Sequence, residues 1–273
     1  MSTSLSLRLH AAVRRISAAI AVSSLMACAG GVGTGGYNET TRSNDLRADI
    51  LANSGLSTLV VAHINIGSPS RNYVERAEPR VDSRVTAYLK SNGYTVAPQR
   101  EFSQRWENAK LIYGDPVDPT TGRVNRKTFV QLVTAVRDQM REQTNINGIV
   151  FTDLIEQDVF ISSGVNRVAR FDGVTRKPSL KGPGNGVTAD FDWGQPMSAI
   201  SLQVSVYNME LEQVFAGLGG IDMTDAIDTR SGRGFVRRKD VLENDDFIDE
   251  GIQLAFHPLI TMTNWPGINP DAQ

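Results

Sequence analysis

The pattern of apolar and polar residues along this chain predicts a mixture of buried strands, half-buried strands and amphipathic helices. Nearly continuous apolar runs occur at residues 58–66 and 148–154, and such runs are typical of strands covered on both faces. Residues 199–207 instead alternate between apolar and polar, which predicts a strand with one solvated face. Its apolar positions are Ile200, Leu202, Val204 and Val206. A shorter strand is expected at residues 94–97.

Four segments carry apolar residues at helical spacing. In residues 79–92 the apolar positions recur at i, i+4, i+7 and i+8, and Pro79 suits the first position of a helix. Residues 102–111 and 125–142 predict two further helices, of which the second is the more regular. The last helix begins near Asp245, where a group of acidic residues suits the positive end of the helix dipole.

Together these elements predict a mixed α/β (α+β) fold with a single mixed sheet, helices packed on it and a closing C-terminal helix. Residues 158–161 and 167–174 are expected to pair as an antiparallel hairpin around Ser162-Ser163-Gly164. The alternating strand should turn into a second antiparallel strand at residues 211–217. Two inserts of irregular structure interrupt this pattern, near Gly114 and Gly182.

The first 27 residues have the features of a bacterial export signal. Arg8, Arg14 and Arg15 make its beginning positive, and the segment contains no acidic residue. Its apolar run at residues 16–27 is too short to span a bilayer as a helix, which takes about 20 residues. The run ends in Leu25-Met26-Ala27-Cys28, which matches the spacing of a lipobox, and this leader resembles that of bacterial lipoproteins.

The lipoprotein resemblance implies that the leader is cleaved before Cys28, that the Cys28 thiol carries a diacylglyceryl group and that the new amino group is acylated. Several acyl chains hold a protein firmly at a bilayer. Ala29 follows the cysteine, where the family places Asp in proteins retained at the inner membrane. The resemblance therefore implies an outer-membrane anchor with the domain facing the periplasm. An ordinary secretory leader with an incidental cysteine is the alternative.

On this interpretation the chain has three parts. Residues 1–27 are the signal peptide, residues 28–44 are a lipid-anchored tether, and residues 45–273 are one periplasmic αβ domain. The G-x-G-x-x-G spacing that starts at Gly31 lacks the preceding strand and following helix of a dinucleotide site. A flexible linker explains it better, because glycine-rich chains behave as coils.

Composition limits the chemistry that the domain can perform. The formal net charge of −2 does not favour a nucleic-acid partner. Downstream of Cys28 only His63 and His257 remain, so metal clusters of His and Cys and cysteine nucleophiles are not expected, and no cofactor is predicted. The Asp115–Asp118 loop lacks the spacing of a calcium-binding EF-hand. Carboxylate chemistry stays open, with Asp153 at a strand end as the candidate, because glycosidases need only paired acids.

Two features are candidates for contact with a partner. Phe191 and Trp193 lie in the second irregular insert, and they are expected either to cover the sheet edge or to meet a partner. Arg237 and Arg238 belong to a basic segment at residues 230–239, which would suit anionic lipid headgroups or glycan phosphates. A solvated strand or loop also accounts for the basic segment.

The order of elements resembles the αβ domain shared by the amino-terminal domain of TolB, the curli-secretion lipoprotein CsgG and lipoprotein activators of peptidoglycan synthases. The resemblance covers residues 55–260 and rests on the lipobox, the strands at 58–66 and 148–154, the helix that ends at Ser91-Asn92-Gly93-Tyr94 and the closing helix. It implies a non-enzymatic envelope lipoprotein that binds an envelope protein or forms a homo-oligomer, in assembly or secretion. A carboxylate-dependent cell-wall or other hydrolase and a small-ligand-binding lipoprotein are the alternatives.

Overall fold

A six-stranded mixed sheet forms the centre of the fold in the computed structural model, which describes residues 44–63, 72–162, 167–184 and 186–265. The strands in chain order are β1 (Asn44–Leu46), β2 (Thr58–His63), β3 (Thr95–Ala97), β4 (Gly148–Val159), β5 (Ala169–Phe171), β6 (Val174–Arg176), β7 (Leu180–Lys181), β8 (Met197–Asn208), β9 (Gln213–Met223), β10 (Asp225–Asp228) and β11 (Gly234–Arg237). The helices are α1 (Ala48–Ser54), α2 (Asn72–Glu75), α3 (Glu78–Ser91), α4 (Arg100–Tyr113), α5 (Arg126–Gln143) and α6 (Asp245–Phe256). The mixed α/β class expected from the sequence is confirmed.

Parallel and antiparallel pairing meet in the central sheet, whose strand order is β1-β9-β8-β4-β2-β3. β2 lies between β3 and β4 and runs parallel to both, whereas β8 runs antiparallel to both β4 and β9. Parallel neighbours need long crossover connections, and α3 supplies one between β2 and β3. α4 and α5 supply the other, between β3 and β4. The sheet therefore joins an αβ half to an antiparallel half.

One face of the sheet is covered by α3 and α6. Val81 and Val85 of α3 pack in one apolar cluster with Leu59 and Val61 of β2. α6 adds four buried residues to the same cluster, namely Ile248, Ile252, Ala255 and Phe256. The helices expected at residues 79–92 and near Asp245 thus share one core.

The alternation in β8 has the predicted consequence for burial, with one exception. All four of its apolar positions are fully buried on the side of α3 and α6. On the opposite side Gln203, Ser205 and Tyr207 are partly exposed, as a solvated face requires. Ser201 is the exception: it is buried, and its hydroxyl is satisfied by donating a hydrogen bond to the Asp172 carboxylate at 2.6 Å.

On the opposite face of the sheet, α4 and α5 cover β2 and the beginning of β4. Phe102 and Trp106 of α4 pack with Leu132 of α5 against Val60 and Ala62, which alternate with the β2 residues of the first cluster. The start of α5 is set by Asn125, whose side chain accepts hydrogen bonds from the backbone N–H groups of residues 127 and 128. An Asn at this position satisfies donors that a helix start leaves open.

The hairpin expected between residues 158–161 and 167–174 is wrong for most of its length, and the two segments meet only next to their connection, where the Ser162 N–H donates to the Val168 carbonyl oxygen at 2.8 Å. β4 continues without a break to Val159, and its whole length pairs with β8. Ile161 forms only an isolated bridge with Ala169. The hairpin in this region is instead β5 and β6, which turn at residues 172–173.

Candidate functional site

An open groove lies between the beginning of α3 and the segment that links β11 to α6. Its volume is about 760 Å³, and its lining carries four positive side chains and one negative one. The lining residues are Arg76, Ala77, Arg80, Arg238, Lys239, Val241, Leu242 and Glu243. We call it the basic groove, since its charge is opposite in sign to that of the whole chain.

Arg80 joins the two walls of the basic groove. Its guanidinium donates to the carbonyl oxygen of Leu242 at 3.3 Å, to that of Glu243 at 3.1 Å and to the Asp245 carboxylate at 2.5 Å. Arg84, one turn along α3, lies 3.1 Å from the same carboxylate. Leu242 has a left-handed φ of 62°, which costs a residue with a side chain about 1–2 kcal/mol. The contacts from Arg80 help to hold it.

Arg238 stabilises the opposite wall of the groove through hydrogen bonds to residues behind it. Its Nη1 donates to the Asp222 carboxylate at 2.8 Å and to the Met223 carbonyl oxygen at 2.9 Å, and its Nη2 donates to Asp240 at 3.2 Å. Burial raises the pKa of the Asp222 carboxyl, and the charge of Arg238 only partly opposes this effect. The hydrogen bond from Arg238 holds the pKa of Asp240 below its usual range. Most donors of Arg238 are therefore engaged inside the protein.

The raised pKa of Asp222 predicts how Asp222→Asn changes stability with pH. A carboxyl with a raised pKa stabilises the fold most when it is protonated, below its ordinary pKa of about 4. This contribution is lost as the pH rises through the raised value. Urea unfolding from about pH 4 to pH 7 should therefore show wild type losing stability relative to the variant. Asp240→Asn is the control, because the lowered pKa of Asp240 predicts a contribution that is fully present above its ordinary pKa of about 4. Wild type should therefore not lose stability relative to this variant as the pH rises, and equal slopes for the two variants would contradict the assignment.

Arg76 and Lys239 differ from the other two cations of the basic groove. Both are exposed, and within the described ranges neither forms an ion pair or a side-chain hydrogen bond. They stand on opposite walls, Arg76 between α2 and α3 and Lys239 just after β11. Their charges are thus available to a bound anion.

A second surface is apolar and lies at the end of α4. Leu111, Ile112 and Tyr113 are 87%, 71% and 44% exposed, which sets them apart from the buried face of the same helix. We call these three residues the α4 tip. The signal was present in the sequence, since Leu111 and Ile112 fall outside the stripe that contains Phe102 and Trp106, but sequence reasoning did not single them out.

The acidic residues near Asp153 are packed together without a cleft. Asp82 of α3 is buried and accepts a hydrogen bond from the Thr152 hydroxyl at 2.8 Å. Glu78, Asp82 and Asp153 line a gap that has no space for a molecule the size of water. The structure therefore brings carboxylates together at this point, but in the described part of the chain it gives them no room for a substrate.

The carboxylates of the loop after α4 stabilise its turns by accepting backbone hydrogen bonds. The Asp115 side chain accepts the backbone N–H of Val117 at 2.8 Å, and Asp118 accepts those of Thr120 and Thr121 at 2.9 and 2.7 Å. These donors lower the pKa of Asp118. Among the described residues, no group of three or more His, Cys, Asp or Glu is placed to hold a metal ion.

The aromatic pair of the second insert faces inward. Phe191 is only 6% exposed, and its ring lies 4.6 Å from that of Trp193 and 5.7 Å from that of Phe235. The guanidinium of Arg167 lies 4.4 Å from the centre of the Trp193 ring. The pair thus packs against the small sheet formed by β7, β10 and β11 through the ring of Phe235 in β11.

Arg237, the remaining candidate contact, points to the end of the central sheet. Its Nη1 contacts the Glu156 carboxylate and the Thr224 hydroxyl, each at 2.5 Å, and its Nε lies 3.4 Å from Asp225. The lipobox residues Leu25, Met26, Ala27 and Cys28 lie outside the described ranges, as do residues 64–66 of the first expected strand.

Comparisons with known proteins place no further constraint on these surfaces. No family model, curated protein or solved structure matches the chain. The resemblance to the group that includes TolB and CsgG therefore stays a prediction. None of the helices in the described ranges is both long enough and apolar enough to cross a membrane.

Proposed function

We propose that this protein is an outer-membrane lipoprotein, anchored through Cys28, whose periplasmic domain docks an envelope protein through the α4 tip. The observation that carries the proposal is the exposure of three consecutive large apolar side chains at one helix end. Contiguous apolar surface on a soluble domain marks a site of interaction. Tyrosine is enriched among the residues that supply most of the binding energy at such sites.

The charges around the α4 tip favour a protein over a lipid surface as its partner. Lys110 is the adjacent cation, and it is neutralised by Glu107 at 2.8 Å and approached by Asp115 at 3.9 Å. A segment that binds an anionic bilayer carries an excess of Lys and Arg. An apolar centre with a balanced polar rim is instead the anatomy of a protein interface.

The proposed anchor would keep the domain close to the membrane while leaving it free to orient. A tether over residues 28–44 spans at most about 60 Å when fully extended. As a glycine-rich coil its mean reach is about 20–25 Å. An envelope partner within that distance meets the domain at a high effective concentration, so a small apolar patch suffices for docking.

The experiment is photo-cross-linking in intact cells, with a photoreactive amino acid at position 112. The matched control places it at Leu180, another exposed apolar residue, which is 51% exposed and lies in β7. We expect one defined adduct with an envelope protein from position 112, none from position 180, and loss of the adduct when Cys28 is replaced by Ala. An adduct that persists in Cys28→Ala would contradict the anchored part of the proposal.

Ile112→Glu should weaken docking without unfolding the domain. Ile112 is 71% exposed, so the glutamate carboxylate stays hydrated in the free protein. It would lose that hydration only in the complex. The loss of one central apolar contact is expected to reduce partner capture at least about tenfold. Co-purification with the cross-linked partner measures this, with Leu180→Glu as the control of equal chemistry. Equal capture by both variants would exclude the α4 tip as the docking surface.

A further inference from the structure

The basic groove suits a ligand of a different kind from the partner proposed for the α4 tip. We propose that it binds a small organic molecule bearing phosphate, which is clamped between Arg76 and Lys239. This inference does not depend on docking at the α4 tip, since the two surfaces share no residue.

The charge balance of the groove leaves a net attraction for an anion. Arg80 is compensated by Asp245, and Arg238 is compensated by Asp222 and Asp240. The uncompensated charges of the lining are therefore Arg76 and Lys239 against the single acid Glu243. A phosphate group carries one to two negative charges and accepts hydrogen bonds from both a guanidinium and an ammonium.

The two walls that carry Arg76 and Lys239 are held together by hydrogen bonds. Arg76 and Lys239 come from distant parts of the chain, and the hydrogen bonds from Arg80 to the backbone of residues 242 and 243 tie these parts together. A groove whose width is fixed before binding avoids part of the entropic cost of ordering its walls. Arg80 and Arg238 thus position the walls of the site, whereas Arg76 and Lys239 contact the ligand.

The size of the groove favours an organic phosphate over an inorganic one. A volume of about 760 Å³ falls within the range of about 300–1,000 Å³ that is typical of small-molecule sites. Ala77 and Val241 add apolar surface beside the cations. Both a free phosphorylated metabolite and the headgroup of a phospholipid offer this combination of a phosphate and a less polar part.

Isothermal titration of the full chain in neutral detergent tests the inference with two probes. Glycerol 3-phosphate represents a free organic phosphate compound, and glycerophosphoglycerol is the deacylated headgroup of phosphatidylglycerol. The test variant is Arg76→Ala/Lys239→Ala. The matched control is Arg123→Ala/Lys127→Ala, which removes the same charge from two exposed residues before and at the start of α5. Thermal melting of each variant verifies that it is folded.

We expect at least one probe to bind wild type and the control equally and to bind the test variant at least tenfold more weakly. The probe with the higher affinity then assigns the source, a free phosphate compound or a lipid headgroup. The inference is overturned if neither probe binds, or if the test variant binds as wild type does. It is also overturned if both variants lose affinity equally, because general charge attraction would then explain the binding.

Discussion

Replacing Gly219 by Ala is expected to lower the free energy of unfolding by about 3 kcal/mol, at the upper end of the usual range for overpacked cores. A Cβ atom at Gly219 would lie 1.9 Å from the Gly251 carbonyl oxygen and 2.6 Å from the Ala255 backbone nitrogen. Both obstacles are backbone atoms of α6, so no side-chain rotation relieves the clash. β9 and α6 would have to separate, and the core that α6 shares with α3 would open.

Gly234→Ala is the matched control for this prediction. Gly234 also lies in a strand, but nothing lies within 4 Å of the position that a Cβ atom would take. Without a clash, Ala is the better residue in a strand by about 0.5–1 kcal/mol. Urea unfolding should therefore show a large loss for Gly219→Ala and no loss for Gly234→Ala. A stable Gly219→Ala variant would mean that α6 does not approach β9 as described.

The sequence was most informative where a local pattern determines burial directly. Alternation in β8 predicted which residues face the core, and the helical stripe at Val81 and Val85 predicted the buried side of α3. Asp82 shows the limit of this reasoning. It is a charged residue buried beside that stripe, and its partner Thr152 lies 70 positions away along the chain.

The end of β4 could not be predicted from its own residues. The expected strand ended at Leu154, and the polar residues Glu156, Gln157 and Asp158 suggested a break before a new strand. In the fold their side chains find polar partners, since Gln157 donates to Asp172 and Glu156 accepts from Arg237. Pairing with β8 therefore continues to Val159. Partners from other segments decided the length of this strand.

The basic groove could not be predicted from the sequence, because its two walls come from distant segments of the chain. The basic segment that ends at Lys239 was noticed, but nothing local indicated that Arg76 and Arg80 would face it. Within that segment the roles also divide in a way that composition does not show. Arg237 and Arg238 are used for internal contacts, whereas Lys239 stays exposed.

Arg176→Met is expected to lower the free energy of unfolding by about 2–3 kcal/mol, chiefly by leaving a buried carbonyl without its donor. Arg176 is 7% exposed, and its Nε donates to the Ile221 carbonyl oxygen at 2.7 Å. Ile221 is the extra residue at the irregularity of β9, where pairing with β8 shifts between Ile200 and Ser201. Arg176 thus supplies a hydrogen bond at a point where the sheet register is interrupted.

The other contacts of Arg176 should contribute less. Its Nη2 lies 2.7 Å from Glu250, whose side chain is 42% exposed, so solvent screening limits the ion pair to about 1 kcal/mol or less. The Phe247 ring centre lies 3.9 Å from the guanidinium, which adds about 1 kcal/mol. Glu250→Gln separates these contributions, because it removes only the ion pair. Urea unfolding should show a small loss for Glu250→Gln and a larger one for Arg176→Met. Equal losses would mean that the ion pair, and not the hydrogen bond to Ile221, secures β6 against the central sheet.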